Sequence, residues 1–131
     1  MRKMRVLLAD DHRSLLELIR GLLEPTYDVV GCVEDGGSLV EAAGKLQPDV
    51  IVTDISMPKL NGLEAANQLR ESGSPSKIVF LTVHADPDFV QAALETGATA
   101  YVTKLRITTD LLVALREALA GRIFVSPMDL A

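Results

Sequence analysis

Five polar side chains in this 131-residue chain stand where short apolar segments end, and together they could carry out phosphoryl chemistry. They are Asp10, Asp11, Asp54, Thr82 and Lys104. Carboxylates held close together raise one another's pKa unless a cation lies between them. Their hard oxygens suit Mg²⁺, which binds through carboxylates, waters and phosphate oxygens. With a phosphoryl donor, Asp54 could act as a nucleophile and form an acyl phosphate. Mg²⁺ and Lys104 could neutralise the phosphoryl charge, and Thr82 could donate a hydrogen bond.

The elements that would position these residues alternate between short apolar runs and longer helical repeats. The predicted strands cover residues 5–9, 27–33, 49–53, 77–81 and 100–103. The predicted helices cover residues 14–24, 38–46, 63–72, 87–96 and 108–120. Five strands that alternate with five helices favour right-handed crossovers and therefore an α/β fold with a doubly wound, five-stranded parallel sheet.

Sheets of this kind bind ligands beyond the carboxyl ends of their strands, at the point where the strand order reverses. Asp10 and Asp11 follow the first predicted strand, Asp54 the third, Thr82 the fourth and Lys104 the fifth. The loops at the opposite edge offer only turn residues and ordinary polar groups. We therefore expect the five side chains to meet at one edge of the sheet.

The composition argues against several other kinds of protein. An apolar fraction of 48% and a charged fraction of 24% are typical of a single globular domain of this length. No apolar run approaches the ~20 residues of a membrane span, and no signal-peptide pattern follows Met1, so we expect a cytoplasmic protein without membrane contact. The net charge is −5 and the basic residues are scattered, so we expect no direct nucleic-acid contact by this chain.

A family resemblance rests on several short segments in a fixed order. The segments are Asp10-Asp11-His12, Asp54-Ile-Ser-Met-Pro-Lys-Leu-Asn-Gly62, Leu81-Thr82, Tyr101 and Lys104. They resemble the signature of receiver domains in two-component response regulators, and the match runs from about Met4 to Gly121. Thr82-Val-His84, Gly121 and Val125-Ser-Pro127 are similar to the NarL/LuxR-type subclass. Those proteins usually continue into a helix-turn-helix output domain, which we expect to be absent here. We assign residues 1–122 to the receiver domain and 123–131 to a linker or C-terminal tail.

The resemblance implies a flavodoxin-like sheet with strand order 2-1-3-4-5 and a magnesium-dependent phosphoryl site. Asp54 would accept a phosphoryl group from a histidine kinase, and this aspartate would also contact the metal. Asp10 and Asp11 would hold Mg²⁺, directly or through water, and the backbone carbonyl of Ser56 would complete the protein ligands. The chain would be a regulatory phosphoacceptor, not an enzyme acting on other substrates, and would control transcription through an output domain.

The resemblance also implies how the signal would leave the site. Thr82 would move toward the phosphoryl oxygen, Tyr101 would follow it inward, and Lys104 would pair with the phosphate. One residue departs from the family pattern, because Leu105 stands where a proline often follows the lysine. We therefore do not assume a cis peptide bond after Lys104.

Each of these residues also has an ordinary structural explanation. Asp11 could simply cap the first helix, and Asp54 could be a turn residue before a glycine, Gly62, with positive φ. Tyr101 could be a half-buried strand tyrosine with a solvated hydroxyl, and Lys104 a solvated lysine. Only their joint presence at predicted strand ends favours the functional interpretation.

The two histidines of the predicted edge, His12 and His84, do not form a convincing metal site of their own. They lie on different loops among hard oxygen ligands, which is a poor arrangement for zinc. We expect neither to bind a metal directly and expect His84 to border the phosphate pocket.

The first and last helices carry more apolar residues than a one-sided surface helix needs. We predict that Leu15, Leu18, Ile19 and Leu22 face the core from the first helix, and Leu112, Leu115 and Leu119 from the last. The surplus could form a homodimer face, or it could pack within the domain. A second candidate dimer face combines the fourth helix, the fifth strand and the fifth helix.

Three other functions fit the sequence less well. A haloacid-dehalogenase-like phosphatase needs an acid/base aspartate two residues after the nucleophile, where this chain has Ser56. A degenerate receiver that acts only as a scaffold would lack some of the acids or the lysine. A flavodoxin would need neutral or positive phosphate donors in the first loop, which here begins with Asp10 and Asp11.

Overall fold

Helices and strands alternate along the chain in the computed structural model, which describes residues 2–128. The strands are β1 (Arg5–Ala9), β2 (Asp28–Val33), β3 (Val50–Thr53), β4 (Lys77–Thr82), β5 (Ala100–Thr103) and β6 (Phe124–Val125). The helices are α1 (Arg13–Leu23), α2 (Gly36–Leu46), α3 (Gly62–Glu71), α4 (Pro87–Glu95) and α5 (Ile107–Leu119), and a 3₁₀ turn (Lys104–Arg106) joins β5 to α5. No helix in the described range is long and apolar enough to cross a membrane.

The strands form one parallel sheet in the order β2-β1-β3-β4-β5-β6. The predicted α/β class, five helices and order of the first five strands are confirmed, but the prediction of five strands is wrong. Residues 2–128 contain a sixth strand, in which Phe124 pairs with Ala100 and Val125 with Tyr101. Two residues are too short a run to show strand alternation, so the sequence pattern did not reveal this strand.

Side-chain caps fix where two of the helices begin. The Asp35 carboxylate accepts a hydrogen bond from the Ser38 backbone N–H at 2.8 Å and starts α2. Asn61 and Glu64 form a capping box at the start of α3, in which the Asn61 side chain accepts from the Glu64 N–H at 2.9 Å. Such caps satisfy backbone donors that have no partner inside the helix. The second cap also fixes the end of the loop that follows β3.

The sheet is covered on both faces, so the central strands are apolar at nearly every position between their ends. One core, in which Val52 and Leu81 are buried, lies between the sheet and helices α1 and α5. The other, in which Ile51 and Phe80 are buried, lies between the sheet and α2, α3 and α4. Because helices cover both faces of the sheet, a ligand can reach it only at the ends of the strands and the loops beside them.

The predicted core-facing stripes of α1 and α5 are confirmed in part. Ile19 and Leu115 are buried and Leu15, Leu22 and Leu119 pack against the core, but Leu18 and Leu112 are exposed. In α1 the buried residues are Leu16, Ile19 and Leu23, whereas Leu18 is 58% exposed. In α5 the buried residues are Ile107, Asp110, Leu111, Ala114, Leu115 and Ala118. The pattern contained two overlapping stripes on each helix, and periodicity alone does not say which one faces the sheet.

Candidate functional site

Asp10 and Asp54 stand on either side of the point where the strand order reverses. Asp10 follows β1 and Asp54 follows β3, and both are buried, with 2% and 4% of their surface exposed. The Asp54 backbone N–H donates to the Ala9 carbonyl at 2.9 Å, which extends the ladder between these neighbouring strands into the site. Two carboxylates are thus held side by side by the most rigid part of the sheet, and their burial requires cationic partners.

Lys104 supplies one such partner. It is the first residue after β5, and its Nζ lies 2.8 Å from Asp10 Oδ2 and 2.9 Å from Asp54 Oδ2. Burial by itself would lower the pKa of Lys104, but the hydrogen bonds to Asp10 and Asp54 outweigh it, and the pKa lies above its usual value. The lysine is therefore charged and bridges the two carboxylates. The sequence placed Lys104 at this edge but did not predict the bridge.

Two further groups extend the acidic cluster toward solvent. Asp10, Asp11, His12 and Asp54 each place one ligand atom within 4.8 Å of the others. His12 Nδ1 lies 3.0 Å from Asp10 Oδ1 and 3.1 Å from Asp11 Oδ1. The carboxylate oxygens are the hard donors that Mg²⁺ prefers. The described residues thus contain a cluster that could hold a metal ion.

The loop after Asp54 folds back over the strand end. The Gly62 N–H donates to the Ile55 carbonyl at 2.7 Å, and a Cβ on Gly62 would lie 2.0 Å from the Asp54 carbonyl oxygen. The sequence predicted a positive φ at Gly62, and this is wrong, because the close approach of the Asp54 carbonyl is what requires glycine here. The positive φ belongs to Lys59, at 68°. Asp54 Oδ1 also accepts the Ile55 N–H at 2.7 Å, which fixes the carboxylate orientation.

Ser56 lies in this loop beside an open pocket of about 550 Å³. Asp11 and Asn61 line the same pocket, so the loop and the acidic cluster border one space. Ser56 Oγ lies 2.8 Å from His84 Nε2, and the His84 ring stacks on Phe89 with centroids 4.2 Å apart. The sequence predicted that His84 lies near the pocket but did not predict its stacking on Phe89. The two residues belong to different segments, and no local sequence pattern links them.

Thr82 and Tyr101, the predicted switch residues, lie on neighbouring strands and are both fully buried. The Thr82 Oγ accepts the His84 N–H at 3.3 Å, and the Tyr101 hydroxyl donates to the His84 carbonyl at 2.7 Å. Burial, with smaller contributions from Asp86 and Asp54, raises the pKa of Tyr101 to about 12. Tyr101 is thus not a half-buried tyrosine with a solvated hydroxyl, because its hydroxyl is bonded to the loop after β4.

Together these residues form a carboxylate nucleophile flanked by acids, a lysine and a hydroxyl. Asp54 is oriented by one backbone donor and one lysine, and Asp10 and Asp11 place negative charge where a cation would bind. Lys104 can neutralise charge on a group transferred to Asp54. The arrangement suits attack on a phosphoryl group better than it suits hydrolysis, because Ser56 offers no carboxylate for acid/base catalysis.

Nearly the whole chain is similar to known proteins of one family. The family model described as response regulator receiver domain matches residues 6–116. The transcriptional regulatory protein DegU of Brevibacillus brevis is 35% identical over 95% of this chain and 54% of its own length. The nitrate/nitrite response regulator protein NarL of Escherichia coli is 38% identical over 92% of this chain and 57% of its own length.

A solved structure extends the comparison to three dimensions. A two-component response regulator of the LuxR family from Aurantimonas sp. SI85-9A1 superposes with a TM-score of 0.91, at 35% identity, over 95% of this chain and 91% of the other. The chain itself spans little more than half the length of the curated relatives that it matches.

Proposed function

This chain belongs to the response regulator receiver domain family, and on that premise we propose that it is a phosphorylation-dependent switch of a two-component system with Asp54 as its phosphoacceptor. The observation that carries the proposal is the contact of Lys104 Nζ with both Asp54 and Asp10, at 2.9 and 2.8 Å. A partly buried lysine placed on a buried aspartate beside further acids is expected where phosphoryl charge must be neutralised.

The proposed reaction uses the residues of the site as they stand. An oxygen of Asp54 attacks the phosphorus of a phosphohistidine on a histidine kinase. The bond from phosphorus to the donor nitrogen breaks, and a bond from phosphorus to the aspartate oxygen forms. Lys104 stays beside the new acyl phosphate and pairs with one of its oxygens. The Ile55 N–H, which already binds Asp54 Oδ1, keeps the acceptor oriented during transfer.

Magnesium would be held by Asp10, Asp11, Asp54 and the backbone carbonyl of Ser56. When bound, Mg²⁺ would neutralise part of the charge on the phosphoryl oxygens. The support for these ligands is their chemistry and their closeness, since the three carboxylates form one cluster at the edge of the sheet. Asp11 is partly exposed, with 37% of its side-chain surface accessible, so a hydrated ion can reach it from the open pocket.

Signal transmission is proposed to run through Thr82 and Tyr101. Both are buried and both are hydrogen-bonded to the backbone of His84, one through its N–H and one through its carbonyl. Movement of Thr82 toward a phosphoryl oxygen would therefore change the hydrogen bonding of the same short loop that holds Tyr101. The phosphoryl group would shift the populations of two arrangements of α4, β5 and α5.

The partners follow from the family and remain proposals for this chain. This protein would act in the cytoplasm, where a histidine kinase would supply the phosphoryl group. Transcription would be regulated through an output domain like those of longer relatives. Homodimerisation could use the α1–α5 face, where Leu18 is 58% and Leu112 36% exposed. It could also use the α4–β5–α5 face. Beside that face, a groove of about 510 Å³ between α4 and residues 125–128 is lined by Val90 and Leu94.

The experiment that tests this function is intact-mass spectrometry after incubation with a small acyl-phosphate donor. We expect one phosphoryl increment, only when Mg²⁺ is present, and none in Asp54→Asn. Asp28→Asn is the matched control, because Asp28 is an exposed aspartate at the opposite edge of the sheet. If Asp54→Asn accepts the phosphoryl group as readily as Asp28→Asn, the proposed acceptor is wrong.

A further inference from the structure

The segment after α5, which the sequence predicted to be a linker or tail, is hydrogen-bonded to the edge of the sheet. We call residues 123–128 the strap. The Phe124 N–H donates to the Thr99 carbonyl at 2.9 Å, and the Ser126 N–H donates to the Tyr101 carbonyl at 2.8 Å. These bonds form β6 along the outer edge of β5. The main chain of the strap is therefore attached to the strand that carries Tyr101.

A buried polar network fastens the strap at Ser126. This serine is only 2% exposed, its Oγ donates to Asp110 Oδ2 at 2.8 Å, and the same Oγ accepts the Thr103 N–H at 3.3 Å. Asp110 is itself buried in α5 and binds Arg106 Nε at 2.7 Å. Buried polar groups that satisfy one another specify a single arrangement and lose that specification when one of them is removed. The network thus ties the strap to both β5 and α5.

The attachment points of the strap are next to the proposed phosphoryl site along the chain. Thr103, which binds Ser126 Oγ, directly precedes Lys104, whose Nζ contacts Asp54. Tyr101, whose carbonyl binds the Ser126 N–H, has its hydroxyl on the loop after Thr82. A movement of Lys104 would therefore act on the neighbouring Thr103 N–H, and a movement of Tyr101 would act on its own carbonyl. Both backbone groups are hydrogen-bonded to the strap.

The strap has limited apolar packing to hold it against such a rearrangement, because Phe124 and Met128 pack against the two cores but stay partly exposed. Its strand is two residues long, Ile123 is 66% and Val125 37% exposed, and a groove of about 510 Å³ separates it from α4. Segments with few buried apolar contacts open locally at low free-energy cost. Its attachment therefore depends on the hydrogen bonds at Phe124 and Ser126 together with the partial packing of Phe124 and Met128. The hydrogen bonds are the part of this attachment that the site can influence.

We propose that the strap is a second element of the switch, docked on β5 or released from it, and that phosphorylation of Asp54 stabilises the docked form. This inference rests on the proposed function and adds the route by which the site acts on the chain beyond residue 128. Inward placement of Tyr101 and docking of the strap stabilise each other, because both hold the backbone of β5 in one position. By linkage, release of the strap weakens the response of Tyr101 to phosphorylation.

Amide hydrogen exchange measured by NMR tests the inference on the full chain. The probe is Mg²⁺ with beryllofluoride, a stable mimic of the phosphoryl group. We expect exchange of the Phe124 and Ser126 amides to slow by about fivefold or more when the mimic is added, the lower end of common allosteric coupling. In Ser126→Ala this slowing should be lost, while the shifts of residues beside Asp54 persist. Ser76→Ala is the control, because Ser76 Oγ donates to the Pro48 carbonyl at 2.7 Å at the opposite edge of the sheet.

The outcomes separate this inference from the proposed function. If resonances beside Asp54 respond to the mimic but exchange at Phe124 and Ser126 in the native sequence does not slow, the strap is not part of the switch. If Ser126→Ala retains the full slowing, the polar network does not couple the strap to the site, and the inference is overturned. If no resonance beside Asp54 changes when the mimic is added, the proposed function is wrong, and this inference, which rests on it, is wrong as well.

Discussion

Replacing Lys104 with methionine should destabilise the metal-free protein strongly, because it leaves two buried carboxylates without their shared cation. Lys104 Nζ lies 2.8 Å from Asp10 and 2.9 Å from Asp54, and the three side chains are 13%, 3% and 5% exposed. With an effective dielectric constant of about 20, each contact corresponds to about 6 kcal/mol of attraction. Desolvation of the ions offsets most of this gain, but loss of only one partner costs about 3–5 kcal/mol. We therefore expect the free energy of unfolding to fall by about that amount.

Urea denaturation without Mg²⁺ measures this effect, and two comparisons make it specific. In the Asp54→Asn background, Lys104→Met should cost less by about 1–3 kcal/mol, which is the coupling energy expected for residues in direct contact. Lys45→Met is the matched control, since Lys45 also lies 2.9 Å from a carboxylate, that of Glu41, but both side chains are 70% or more exposed. We expect that control to change stability by less than about 0.5 kcal/mol. The reasoning is refuted if Lys104→Met and Lys45→Met have equal effects, or if Asp54→Asn leaves the cost of Lys104→Met unchanged.

Three further changes probe other parts of the site. Millimolar Mg²⁺ should raise the thermal midpoint of the native protein by mass action and raise that of Asp11→Ala much less; equal rises would count against a metal site that includes this aspartate. Thr82→Ala should still accept the phosphoryl group, but in NMR spectra the mimic-induced shifts around Tyr101 and α4 should shrink; unchanged distant shifts would exclude Thr82 as the coupling residue. Tyr101→Phe removes the hydrogen bond to the His84 carbonyl and should cost about 0.5–1.5 kcal/mol in urea denaturation. Tyr27→Phe is its control, because the Tyr27 hydroxyl makes no hydrogen bond to the part of the chain that the structure describes, and a loss as large as that of Tyr101→Phe would contradict the account.

Much of the fold could be predicted because the central strands consist mainly of apolar residues and polar residues stand at their ends. The bounds of β1 and β5 agree with the pattern, and the predicted helices agree to within two residues at either end. The same strand ends identified the candidate site, since parallel strands bring their carboxyl ends to one edge. Asp10, Asp54 and Lys104 meet there as expected.

The features that the sequence did not reveal depend on contacts between distant segments. Phe124 and Val125 become a strand only because the edge of β5 is open to them, and two residues carry no periodic pattern. The stacking of His84 on Phe89 and the reason for glycine at residue 62 also come from the packing of one segment on another. In α1, packing against the sheet buries one of two overlapping leucine stripes and leaves Leu18 exposed.

The residue that carries the phosphoryl group shows whether Asp54 is the acceptor. After labelling in the presence of Mg²⁺, borohydride reduction converts a phosphorylated aspartate into homoserine, and peptide sequencing by mass spectrometry locates the converted residue. The account predicts homoserine at residue 54 and at no other aspartate, with no conversion when Mg²⁺ is omitted. Conversion at Asp10 or Asp11, or conversion that does not require Mg²⁺, would contradict it.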